Sequence, residues 1–123
     1  MLHNCPSISF VATSNPDRAR NFYEKVLGLT FVSDDGFALV FDLNGSMLRI
    51  QIVEKVEPHF YTALGWNVAD IGNEVAELTK RGVRFERYEG MNQDPDGIWK
   101  SPSGARVAWF KDPDGNVLSL TQF

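Results

Sequence analysis

Asn15-Pro16-Asp17-Arg18-Ala19-Arg20-Asn21-Phe22-Tyr23-Glu24-Lys25-Val26-Leu27-Gly28-Leu29 contains one complete helix, with its start and its stop. Asn15 is a favoured N-cap, because its side-chain oxygen can accept an otherwise unpaired amide of the first turn. Pro16 suits the first helical position, where its fixed φ fits and its missing N–H is no loss. Ala19, Phe22, Tyr23, Val26 and Leu27 then follow the i, i+3, i+4, i+7, i+8 spacing of a single buried stripe. Gly28 provides the left-handed stop. A second helix of the same design begins at Asp70, buries Ile71, Val75 and Leu78 on one face, and stops at Gly82.

Outward from these helices, the chain alternates strands and tight turns. Strands are predicted at Ser7 to Thr13, Leu29 to Ser33, Phe37 to Leu43 and Met47 to Val53. Asp34-Asp35-Gly36 and Asn44-Gly45 form the turns between the later three. After a linker, strands are predicted at Thr62 to Val68, Val83 to Tyr88, Arg106 to Lys111 and Asn116 to Gln122. Asp112-Pro113-Asp114-Gly115 joins the last two, with Gly at the left-handed position. The Glu89 to Gly104 stretch is long enough for a functional lid, with a short strand at Ile98 to Ser101. The order is strand, helix, three strands, and then the same again. Val26-Leu27-Gly28-Leu29-Thr30-Phe31 returns as Lys80-Arg81-Gly82-Val83-Arg84-Phe85, a weak internal repeat. A ferredoxin-like βαββαβ order needs only two strands between the helices, and three fit better here.

With 123 residues, 43% hydrophobic, the chain is expected to form a single α+β domain. Module one covers about 5–53, a linker 54–60, and module two about 61–123. Sixteen acidic against twelve basic residues give a net charge of −4. Arg81, Arg84 and Arg87 are interleaved with Glu77, Glu86 and Glu89, so nucleic acid is not an expected partner. One cysteine, Cys5, permits no intrachain disulfide. The start of the chain lacks the basic and apolar regions of a signal peptide, and no apolar run approaches a membrane span. A cytoplasmic protein without membrane contact is expected.

Asn15-Pro16-Asp17 through Phe22-Tyr23-Glu24-Lys25-Val26-Leu27-Gly28-Leu29 resembles the helix-and-turn signature of the glyoxalase, bleomycin-resistance and extradiol dioxygenase superfamily, the vicinal-oxygen-chelate class. Ala108-Trp109-Phe110-Lys111-Asp112-Pro113-Asp114-Gly115-Asn116-Val117-Leu118 resembles its closing hairpin. With the two-helix layout, the likeness covers nearly the whole chain. It implies two βαβββ modules whose mixed sheets curl into an open cup, a ligand site in that cup, and a homodimer.

The resemblance also implies where a metal would sit, because family enzymes hold one divalent ion with His, Glu or Gln on the first, fourth, fifth and last strands. In this sequence those positions fall at Ile8, at Arg49 or Gln51, near Ala63, and at Ser119. Ile8 and Ala63 have no donor, Arg49 repels a cation, and Ser119 is a poor neutral ligand. Only Gln51 remains, so no family-type metal and no other cofactor is expected.

Alternation places Arg49, Gln51, Ser119 and Thr121 on the strand faces away from the helices, where the resemblance puts the cup; contact with solvent or a partner subunit is the alternative use of that face. Either Trp109 or Phe110 must point the same way, since strand neighbours face opposite sides. Trp99, in the long loop, could cover a ligand like a lid or serve in packing. These seven residues are the expected small-molecule contacts. His59 and Glu86 are weak catalytic candidates, through a pKa suited to a general base or one raised by an apolar cup. A surface His and a solvated strand-end acid are the plainer alternatives. Asp94, Asp96, Asp112 and Asp114 have the spacing of turn formers and lack the ligand set of a calcium loop.

Three functions remain open at this level. One is metal-independent sequestration of a small molecule, for which net acidity would suit a cationic ligand. The second is a glyoxalase-type lyase, isomerase or dioxygenase. The third is a non-catalytic accessory or sensor domain.

Overall fold

In the computed structural model, which describes residues 1–123, Asn15 caps the first helix as its chemistry predicts. Its Oδ1 accepts the Arg18 amide at 3.1 Å. Helix α1 covers Pro16–Arg20, and the chain continues as a wider π-helical turn over Asn21–Val26. There the Leu27 amide reaches five residues back to the Phe22 carbonyl at 2.9 Å, so the regular helix expected up to Gly28 ends early. Ala19 and Tyr23 are fully buried. The Tyr23 ring meets Phe22 edge-on at 5.3 Å and Phe41 at 6.0 Å, which fixes the helix on the sheet.

Two compact units divide the chain, Met1–Glu57 and Pro58–Phe123. In the first, β1 (Ile8–Thr13), β2 (Thr30–Asp34), β3 (Ala38–Leu43) and β4 (Ser46–Ile52) form a sheet in the order β1-β4-β3-β2. β1 runs parallel to β4, and the other pairs are antiparallel. The β3–β4 turn uses left-handed backbone at Asn44 (φ 50) and Gly45 (φ 98), as the Asn-Gly pair predicts. Val11, Leu39, Phe41, Leu48 and Ile50 are buried on the helix side. Ile8, Phe10, Met47, Arg49 and Gln51 occupy the open face, because side chains alternate along a strand.

The second unit repeats this plan. β5 (Leu64–Asn67), α2 (Ile71–Lys80), β6 (Trp99–Lys100), β7 (Arg106–Lys111) and β8 (Val117–Gln122) build a sheet ordered β5-β8-β7-β6, again with its first and last strands parallel. Asp70 Oδ1 accepts the Asn73 amide at 3.1 Å, and Gln122 Oε1 takes the Ile71 amide at 2.9 Å. These two bonds satisfy helix-start donors that otherwise lack partners. α2 buries Ile71, Val75 and Leu78 and packs over β7 and β8, where Phe110 and Leu118 are fully buried. Both modules are therefore βαβββ, and the fold is α+β with two four-stranded mixed sheets. No helix is long and apolar enough to cross a membrane.

One segment departs from the expected elements. Val83 to Tyr88 forms no continuous strand; Phe85 makes a single bridge to Phe110, and the Glu86 amide bonds the Trp109 carbonyl at 2.7 Å. The second strand of the module is instead the two-residue β6, inside the loop expected as a lid. That loop is knitted together rather than open. Asp94 Oδ1 accepts the Asp96 and Ile98 amides at 2.9 Å each, and the Arg87 guanidinium donates to the Pro95 carbonyl.

Candidate functional site

Strand alternation on β7 decides between Trp109 and Phe110. Phe110 is fully buried on the α2 side, 5.4 Å from the Phe85 ring and 6.4 Å from Trp66. Its pairing partner, Leu118, is buried on that same side. Phe110, expected among the ligand contacts, is thus a core residue with no path to the open face. Trp109 takes that face, opposite Ser119 in the ladder.

Three cross-strand rows make up the open face of this sheet. Trp99 pairs with Val107, and Val107 with Thr121; Trp109 pairs with Ser119, and Ser119 with Gly65; Lys111 pairs with Val117. The absence of a side chain at Gly65 has a direct reason: a Cβ there would lie 2.7 Å from Ser119 Oγ. Trp99 leans on Trp109 with ring centres 6.0 Å apart. It stands on the sheet as part of β6, on the same face as Trp109.

Tyr88 comes to the same face from outside the sheet. Its ring meets Trp109 edge-on at 5.5 Å. Its backbone is held by Gln93, whose Oε1 accepts the Tyr88 amide while Nε2 donates to the Glu86 and Gly97 carbonyls. Burial pushes the Tyr88 phenol above its ordinary 10.0, and the Glu86 charge pushes the same way against the opposing pull of Lys111. Tyr88 is therefore a neutral hydroxyl donor at physiological pH. Lys111 Nζ lies 3.3 Å from Glu86 Oε1, so Glu86 is an ion-pair partner and not a free acid.

Around Tyr88 two hollows open. One, of about 350 Å³, is lined by Phe60, Tyr61, Thr62, Tyr88, Met91 and Trp109. The other, of about 330 Å³, shares Phe60 and Tyr88 and adds His59, Lys111 and Val117. Both volumes fall within the range of small-ligand sites, and aromatic lining with a few polar groups is their usual chemistry. Gly115 lets the linker into place: a Cβ on it would come within 3.2 Å of Pro58 Cγ. The linker then presents His59, stacked on Tyr61 at 4.9 Å, beside Phe60.

Of the expected contacts, Trp109 lines a hollow, whereas Trp99, Ser119 and Thr121 share its face without lining either hollow. Arg49 and Gln51 share the open face of the first sheet. Arg49 is engaged there, its Nη2 2.7 Å from Asp35 Oδ2. That bond, with the Phe37 and Ala38 amides, lowers the Asp35 pKa to about 2. Tyr88, Met91, Phe60, Tyr61 and Lys111 were not among the expected contacts. Lys111 could have been found, since it stands two residues from Trp109 on one strand.

The metal positions implied by the family do not fit a metal. Ile8 offers hydrocarbon, Arg49 a guanidinium already paired, Ala63 a methyl, and Ser119 a hydroxyl packed at Gly65. Gln51 offers a neutral amide oxygen and Ser119 only a weak hydroxyl, and no three His, Cys, Asp or Glu side chains gather anywhere in the chain.

The model of the Glyoxalase/Bleomycin resistance protein/Dioxygenase superfamily matches residues 7–120. A superfamily member from Sphaerobacter thermophilus DSM 20745 aligns over 100% of both chains, with 23% identity and a TM-score of 0.78. A glyoxalase family protein from Enterococcus faecalis shares 22% identity over 98% of this chain and 99% of its own, with a TM-score of 0.75. The lactoylglutathione lyase from Agrobacterium tumefaciens shares 18% identity over 97% of this chain and 93% of its own, with a TM-score of 0.70. No curated protein matches the chain.

Proposed function

Because the chain belongs to the glyoxalase/bleomycin resistance protein/dioxygenase superfamily, we propose that it binds a small organic ligand on the open face of its second module, without the divalent ion that family enzymes use. The observation that carries this reading is the aromatic hollow itself, bounded by Phe60, Tyr61, Tyr88, Met91 and Trp109. The donor-poor set at Ile8, Arg49, Ala63 and Ser119 supports the metal-free part. Sequestration needs only shape and aromatic faces; Trp109 is held by β7 and Tyr88 by Gln93, while Phe60 and Tyr61 come from the linker. A homodimer completes the reading, supported by the half-exposed Ile8, Phe10 and Met47 on the open face of the first sheet, and a cytoplasmic location goes with a lone cysteine that can form no internal disulfide.

Two measurements test it. Protein purified without chelator or affinity tag should contain no stoichiometric divalent metal; a tightly bound ion in every subunit would overturn the metal-free claim. Ligand-observed NMR with small aromatic acids, alcohols and amines should find binders whose signal disappears with Trp109→Leu.

A second reading, acid–base catalysis, has one observation in its favour: His59 lines the hollow that Lys111 and Tyr88 also line. Turnover that is lost in His59→Gln while ligand affinity is kept would establish it.

A further inference from the structure

Resting on the binding reading above, we propose that the ligand class is a planar aromatic acid, its ring against Tyr88 and Trp109 and its carboxylate on Lys111 Nζ. Two observations about the walls lead there. First, the hollow beside Trp109 is bounded chiefly by flat or soft apolar groups: Phe60, Tyr61, Tyr88, Met91 and Trp109. Tyr88 and Trp109 meet edge-on at 82°, so a flat ring can stack on one of them and turn its edge to the other, contacts that an aliphatic guest cannot make. Second, the charged or chargeable groups that line the two hollows are Lys111 and His59, and no carboxylate lines either.

Glu86 is the nearest acid, and it bears on Lys111 from outside the hollows, at 3.3 Å from Nζ. An ammonium has three donors, so one bond to Glu86 leaves two for an incoming carboxylate. The ion pair also biases the rotamers of this half-exposed side chain toward the hollow's edge. Tyr88, Tyr61 and Thr62 add neutral hydroxyls around the rim. They can orient a second oxygen without adding charge.

The net charge of −4 favours cations at long range. At physiological salt such fields are screened beyond about 8 Å. Within that distance stand the Lys111 ammonium and its partner Glu86, and of the two only Lys111 lines the hollow, so it is the charge a guest meets. Tyr88 and Phe60 line both hollows, and Trp109 and Lys111 stand two residues apart on one face of β7, a spacing that a planar aromatic acid can span from ring to carboxylate.

The test uses three probes of one shape on the full chain: 1-naphthoate, 1-naphthalenemethanol and 1-naphthylmethylammonium, titrated by calorimetry at pH 7.5. Naphthoate is expected to bind about fivefold tighter than the alcohol, the size of a half-exposed charge contact, with the ammonium weakest. Lys111→Gln should make acid and alcohol equal, whereas Lys111→Arg should keep the preference. If alcohol or ammonium binds as well as the acid and all three need Trp109, the acid class falls and the binding reading stands. If none of the three binds, or binding is untouched by Trp109→Leu, the binding reading falls and the acid class with it. The wild-type comparison of the probes needs no variant, so a misfolded mutant cannot obscure the result.

Discussion

Gln93 accepts the Tyr88 amide on Oε1 at 2.7 Å, while its Nε2 donates to the carbonyls of Glu86 and Gly97 at 2.9 and 2.8 Å. A single side chain therefore does for this loop what a neighbouring strand would do. It fixes the backbone from which the Tyr88 ring reaches Trp109. Gln93→Leu removes a partner from one amide and two carbonyls in a half-buried place. We expect a loss of about 2–3 kcal/mol in urea unfolding. Gln93→Glu keeps the acceptor but not the donors and should lie between wild type and Gln93→Leu.

Trp109 and Phe110 are neighbours with opposite duties, and truncating each should show it. Phe110→Ala empties a fully buried site beside Phe85 and Trp66, with an expected cost of about 3–5 kcal/mol. Trp109→Leu should cost markedly less stability by thermal melt and yet abolish binding of aromatic probes. A reversal of these two effects would contradict the facing assigned to β7.

Gly115 is required twice over, by its φ of 90° and by Pro58 Cγ lying 3.2 Å from where a Cβ would stand. Gly115→Ala is expected to cost about 1–2 kcal/mol through the left-handed backbone. The displaced linker should also weaken ligand binding, since it carries His59, Phe60 and Tyr61. Calorimetric titration of the folded variant, set beside its melting temperature, separates the two effects.

Asp35 has a pKa lowered from 3.8 to about 2, chiefly by its hydrogen bond from Arg49 and then by the Phe37 and Ala38 amides. In the unfolded chain the carboxyl takes up its proton near 3.8, earlier than in the folded protein. Its contribution to stability is therefore complete above about pH 4 and is lost as the pH falls toward 2. Arg49→Gln should move the Asp35 midpoint back toward 3.8, measured by carboxyl carbon NMR.

The helices and turns were legible because their signals are local. Asn15, Asp70, Gly28, Asn44-Gly45 and Gly115 all sit where capping and turn chemistry place them. The β7 and β8 strands were legible through alternation. Val83 to Tyr88 was not, although it has the composition of a strand. The Tyr88 amide and the Glu86 carbonyl, which a neighbouring strand would have taken up, go to the Gln93 side chain. Nothing local in the sequence announces that substitution. The π-helical turn at Asn21–Val26 was equally hidden, because the same apolar stripe serves either winding. At the site, Trp109 was visible as an aromatic on a strand. Tyr88 and Met91 were not, since they reach the hollow from a loop whose path depends on Gln93.

β8 lies between β5 and β7, and β4 likewise lies between β1 and β3. Each module thus places its last-made strand at the centre of its sheet. On the ribosome this sets an order of events. The first sheet can close once Ile52 has emerged, whereas β5 must wait for Val117–Gln122 before it has any strand to pair with. At about 5–20 residues per second, the wait from Asn67 to Val117 lasts roughly 3–10 s. During it the apolar side of β5, with Leu64 and Trp66, has only α2 for cover. The interval of greatest exposure to misassembly therefore falls between α2 and β8, and slowing translation there should lower the yield of folded protein more than slowing it anywhere in the first module.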